Sequence, residues 1–78
     1  MKQWFKDLDG RLVYAQARWH VTGHLDDFGR LRVDASRATY VTLGERVFGF
    51  AGMKVLKKTS GFLMCADEHR VYTFSIND

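Results

Sequence analysis

A chain of 78 residues is one domain, at the size where a single core is barely sufficient. At 46% hydrophobic and 14% aromatic it is too apolar and too rich in rings to be disordered. One cysteine excludes an internal disulfide framework, and a formal charge of +3 is too small to mark a polyanion partner by itself.

Residues 4–8 and 12–22 flank Asp9-Gly10, a two-residue turn signal, and so predict an opening hairpin. The stretch from Arg11 to Thr22 alternates. Val13, Ala15, Ala17, Trp19 and Val21 make an apolar face, while Tyr14, Gln16, Arg18, His20 and Thr22 make a polar, aromatic and basic one. Period-two alternation marks a strand with one face on a core and the other free, and Trp19 is expected in that core.

After Gly23 a turn is expected at Asp26-Asp27-Phe28-Gly29, leading to a strand over 30–35 with Leu31, Val33 and Ala35 inward. Hairpin pairing is expected to bring Arg18 or His20 near Arg30 and Arg32 as one cationic patch. Residues 35–43 read two ways. Asp34 or Ser36 caps a short helix ending at Gly44, or β-branched Thr39, Val41 and Thr42 make a strand, which is the reading preferred. A hairpin through Gly44-Glu45 then leads into residues 46–51, and Gly49 and Gly52 mark a bulge or tight bend.

Strands over 53–57, 62–66 and 70–76 follow, with Tyr72, Phe74 and Ile76 on one face. The sum is a mostly β fold: a small antiparallel roll, barrel or sandwich of about six to eight short strands in a single compact domain, 1–78. With so little interior, homodimerisation is one expected way of burying more apolar surface.

Few of these residues suggest chemistry. His20 and His24 stand ~13 Å apart if both lie in one strand, too far to share an ion, so no metal or other cofactor is expected. Cys65 sits within Phe62-Leu63-Met64-Cys65-Ala66 and reads as a buried thiol, with Asp67-Glu68 and His69 as a solvated turn. Lys54, Lys57 and Lys58 precede Thr59-Ser60-Gly61, the reverse of a phosphate-loop order. No catalytic residue is assigned, and the chain is not read as an enzyme.

The segment from Arg46 to Met53 resembles the aromatic octapeptide of RNA-recognition-motif domains through Arg46, Phe48, Gly49 and Phe50. That resemblance implies base-stacking roles for Phe48, Phe50 and Tyr14. Val47 and Met53 depart from the pattern, and the two helices of that family have no place in this chain. Phe48 and Phe50 are therefore read as core.

The expected function is a non-catalytic protein-binding module that occupies a partner's surface through Tyr14, Arg18, His20, Arg30 and Arg32. One concrete form is a phage-type inhibitor of a host nucleoprotein defence complex, as anti-CRISPR proteins are. The alternative is a small barrel binding single-stranded nucleic acid through the same basic and aromatic face. No charged-then-apolar leader opens the chain, and no apolar run approaches the roughly eighteen residues of a span. A cytoplasmic protein without a membrane partner is expected.

Overall fold

The computed structural model describes residues 3–19, 23–33 and 39–77. A 3₁₀ turn at Gln3–Phe5 precedes β1 (Leu12–Trp19), β2 (Gly23–Val33), β3 (Tyr40–Leu43), β4 (Arg46–Gly49), β5 (Lys54–Thr59), β6 (Phe62–Ala66) and β7 (Arg70–Ile76). These seven strands form one antiparallel sheet in the order β4-β3-β2-β1-β7-β6-β5. The expected all-β antiparallel fold is the one observed.

The sheet is a roll. β4 and β7 are separated in strand order by β3, β2 and β1. Even so, Phe48 of β4 packs edge-on against Tyr72 and Phe74 of β7, with ring centroids 5.4 and 5.5 Å apart. Only a sheet curled onto itself brings those rings together. The long β2 makes the bend, pairing with β1 from Gly23 to Arg30 and with β3 from Leu31 to Val33. Val13, Ala15 and Ala17 of β1, Leu63 and Cys65 of β6, and Tyr72 and Phe74 of β7 line the concave side and are buried.

The N-terminal segment plugs this roll instead of joining it. The predicted opening strand and Asp9-Gly10 hairpin are absent, because Phe5 and Leu8, three residues apart, fall on one side of a tight helical turn. The Leu8 and Asp9 amides donate to the Phe5 carbonyl, each at 3.1 Å. Phe5 is fully buried, 4.7 Å from the Phe50 ring and 5.3 Å from Phe74. Gly10 does take a positive φ of 80°, but the bend it makes leads into β1, and Asp9 accepts the Val33 amide at 3.0 Å.

The predicted turn at 26–29 is strand. Asp27 accepts from Arg46 Nε at 2.9 Å and from the Phe28 amide at 2.8 Å, so its carboxylate is used without bending the chain. Gly29 serves close packing: a Cβ there would stand 3.4 Å from the Gly44 amide nitrogen. In the ambiguous stretch, Tyr40–Leu43 is strand, while 34–38, with the proposed caps and Ala35, lie outside the described residues, as do 20–22. The Gly44-Glu45 hairpin forms with Gly44 at φ 62°. Trp19 is only partly buried against the core, because it closes β1 at the rim of the roll.

Candidate interaction face

The side of β1 that alternation predicts to be free is the convex face of the roll. Register sets its composition row by row. Tyr14 lies between Phe28 of β2 and Ser75 of β7, and Ser75 lies beside Phe62 of β6. In the next row Asp26, Gln16, Thr73, Met64 and Lys57 follow one another from β2 to β5. The third row runs from His24 through Arg18, Val71 and Ala66 to Lys54.

Small residues occupy the middle. Val71, Thr73 and Ser75 of β7 are short and half-buried, Thr73 and Ser75 between longer side chains on β1 and β6 and Val71 between Arg18 and the small Ala66. This leaves a depression lined by Gln16, Arg18, Met64, Val71 and Thr73. At one margin Gln16 Nε2 donates to Asp26 Oδ1 at 3.4 Å. Partial desolvation and the charge and hydrogen bonding of Asp26 push the Tyr14 phenol above its ordinary pKa. At the opposite margin Lys57 Nζ lies 5.7 Å from the centre of the Phe62 ring, a cation–π contact. Arg18, Lys54 and Lys57 form no ion pair with any described residue. Phe28 stands 52% exposed beside Tyr14.

The residues singled out from the sequence are only partly brought together. Tyr14 and Arg18 share the convex face. Arg18 pairs with His24, whereas Arg30 pairs with Leu12 at the other end of β1, ~20 Å away at ~3.3 Å per residue. Arg18 is therefore not joined with Arg30 and Arg32 in one cationic patch. Arg30 Nη1 donates to the Gly10 carbonyl at 2.6 Å, and Arg32 lies beyond it opposite Thr42. His20 lies outside the described residues. Phe48 and Phe50 are 3% and 1% exposed, which removes them as stacking platforms and makes them core, as read.

Lys57, Phe62, Met64 and Thr73 were missing from the predicted site. The parity of Phe62, Met64 and Thr73 was available, since they alternate with Leu63, Cys65, Tyr72 and Phe74; that of Lys57 was not, because a bulge between Val55 and Lys57 breaks the alternation of β5. Nor was the adjacency of β7 and β1, because that pairing joins the two ends of the chain.

A second polar cluster is structural. Arg70 grips Asp67 Oδ2 through Nη2 at 2.8 Å and Nε at 3.2 Å, and its Nη1 reaches the Gly49 carbonyl at 3.2 Å and the Tyr72 hydroxyl at 3.1 Å. Asp67 Oδ1 accepts the His69 and Arg70 amides. These bonds, the Arg70 side chain first, hold the Asp67 carboxyl down at about 2. The clamp ties the β6–β7 turn to the end of β4.

Cys65 is fully buried, donates to Met53 Sδ at 3.7 Å, and is pushed up to about 12 by desolvation. It faces the core while His69 is exposed, so the two do not form a nucleophile–base pair. Among the described residues no three His, Cys, Asp or Glu side chains gather where one ion could hold them. No described helix is long and apolar enough to cross a membrane. No protein family, no curated protein and no solved structure matches the chain.

Proposed function

We propose that this chain is a non-catalytic protein-binding module that works by laying the convex face of its sheet on a partner. The observation that carries the reading is that face itself. It exposes Phe28 and Arg18 on β2 and β1 and Lys57 on β5, with Tyr14 half-exposed between them and no described element packed over them. Aromatic and arginine side chains standing at the surface are the usual anchors of a protein interface. In its inhibitor form, the module competes for a nucleic-acid-binding subunit of a nucleoprotein complex, as a phage-type defence inhibitor does. This reading belongs to a reducing cytoplasm, where Cys65 stays a thiol. A second copy of the chain is one partner such a face accepts, read out by sedimentation velocity across a concentration series.

The test is capture from host lysate, with and without nuclease, by the native chain and by a Tyr14→Ala/Arg18→Glu variant. A protein retained after nuclease by the native chain and lost by the variant supports the reading. Equal capture by both moves the interface elsewhere.

Single-stranded nucleic acid is a second reading. It is favoured by the alignment of Phe28, Tyr14 and Phe62 in one row across the sheet. Recovery of nucleic acid alone, with protein lost on digestion, supports it.

A further inference from the structure

The depression over β7 is more than a gap between side chains. In a sheet, neighbouring strands lie ~4.8 Å apart, so β1 and β6 stand ~10 Å from each other with β7 between them. Outward residues of β1 are long, with Gln16 and Arg18 on one wall; on β6 Phe62 and Met64 form the other, and Ala66 leaves it open beside Val71. The outward residues of β7 are short. The result is a furrow one strand wide over Val71 and Thr73, with Ser75 continuing the row of short residues along β7. Its floor is mixed, since Val71 contributes methyls while Thr73 contributes a hydroxyl.

Charge on this part of the face has one sign. The outward positions of β1, β7, β6 and β5 include Arg18, Lys54 and Lys57 and not one carboxylate. Asp26 stands on β2 and is engaged by Gln16. Among the described acids, Asp67 is in its clamp with Arg70, Asp27 pairs with Arg46, and Asp7 with Lys58. Arg18 and Lys57 thus flank the furrow from opposite sides, ~16 Å apart across three strand spacings and a two-residue offset, with no described carboxylate on the strands between them.

We propose that this furrow receives an extended, acidic segment of the partner protein, its carboxylates held by Arg18 on one rim and Lys57 on the other. The proposal rests on the docking function above and adds the partner's chemistry. Successive side chains of an extended chain point to opposite sides. Adjacent Asp or Glu residues therefore reach the two rims while the backbone lies over Thr73. An arginine guanidinium favours such a carboxylate for its forked donors.

The same geometry disfavours a nucleic acid strand here. Stacking needs free ring faces, and Lys57 covers one face of Phe62.

The experiment is an amide-resolved NMR titration of the full chain at low salt, with capped hexaglutamate as probe, hexaglutamine as control, and a twelve-nucleotide oligothymidylate as competitor class. Hexaglutamate is expected to shift the amides of Arg18, Met64 and Thr73, with hexaglutamine silent and affinity at least tenfold weaker in Arg18→Gln/Lys57→Gln. Thr73→Arg separates a built furrow from loose attraction. It fills the floor while adding a positive charge, so a furrow predicts lost binding and mere charge attraction predicts tighter binding. Tighter binding to Thr73→Arg overturns the proposal. So do hexaglutamate shifts confined to Arg30 and Arg32, or oligothymidylate binding the same amides more tightly than hexaglutamate. If Thr73→Arg does not fold, the Arg18→Gln/Lys57→Gln comparison decides alone. A captured partner that needs Tyr14 and Arg18 but is not competed by hexaglutamate removes the acidic segment and leaves the docking reading intact.

Discussion

Phe5 offers the sharpest test of how the roll is closed. It precedes every strand, yet it is fully buried and meets Phe50, Phe74 and Trp4 at centroid distances of 4.7, 5.3 and 6.2 Å. Phe5→Ala removes a ring from the middle of that aromatic cluster and leaves a cavity among Trp4, Phe50 and Phe74. Such a truncation costs about 3–5 kcal/mol. A chain of this size holds only about 4–12 kcal/mol in total, at 0.05–0.15 kcal/mol per residue. Even the lower figure is therefore a large share of its stability, and 3 kcal/mol alone lowers Tm by about 12–24 °C. Urea melts followed by far-UV circular dichroism measure the change. Trp19→Ala belongs in the same series, because Trp19 is only partly buried at the rim and is expected to cost less despite its larger ring. A Phe5→Ala cost below about 1 kcal/mol, or below that of Trp19→Ala, would refute the plug: the 3₁₀ turn would then be lying on the roll instead of sealing it.

Three further outcomes follow from particular contacts. The folded Asp67 carboxyl is held at about 2, below its ordinary 3.8, so its contribution is full above that ordinary value and is lost as pH falls through about 2. The difference is worth at most ~2.4 kcal/mol at 1.36 kcal/mol per pH unit, trimmed to about 1–2 because solvent still reaches the pair. Asp67→Asn is accordingly expected to be less stable at pH 7, and the gap to the native chain should narrow between pH 5 and pH 2 in parallel urea melts. Cys65, buried and pushed up to about 12, should resist iodoacetamide at pH 8 in the native state and react readily in urea. Fast native labelling, followed by mass spectrometry, would place the thiol outside the core. Gly44→Ala should cost about 1 kcal/mol from backbone strain alone, since φ is 62° and nothing lies within 4 Å of a built Cβ. Gly44→Asn should cost less by the same melts, because Asn tolerates that conformation.

The parts of this fold that were legible in the sequence were those decided by local pattern. Alternation in β1 and β7 placed Val13, Ala15, Ala17, Tyr72 and Phe74 in the core correctly, because a pleated strand has no other way to place neighbours, while Trp19 keeps the parity but is only partly buried at the strand's end. Gly44-Glu45 read as a hairpin because it turns between two strands that do pair. Asp9-Gly10 carried the same kind of signal and misled, since the residues before it seat two apolar side chains in a helical turn over the core. Asp26 to Gly29 misled for a different reason. Turn-forming residues there are used for an ion pair with Arg46 and for close approach to Gly44, both contacts made by a hairpin later in the chain. The candidate site was half visible. Tyr14 and Arg18 follow from parity, but Lys57 and Phe62 join them only through the β1–β7 and β6–β7 pairings, which no local window contains.

β7 is where stability and the proposed function meet. Its even positions Tyr72 and Phe74 fill the core, and its odd positions Val71, Thr73 and Ser75 face out, the first two flooring the furrow. A one-residue slip in its pairing would put both rings in solvent and three small residues in the core, so the register that builds the interior also builds the outer surface. Arg70, the first residue of the strand, is where that register is pinned. It is joined to Asp67 before the strand, to the Gly49 carbonyl across the roll, and to the Tyr72 hydroxyl one pleat on. The clamp does not touch the convex face, yet it holds in place the strand that separates Arg18 from Met64. A surface built this way needs no loop to shape it. The floor of the furrow is as rigid as the sheet, so the ordering cost left to binding falls on the partner segment and on the exposed Arg18 and Lys57 side chains.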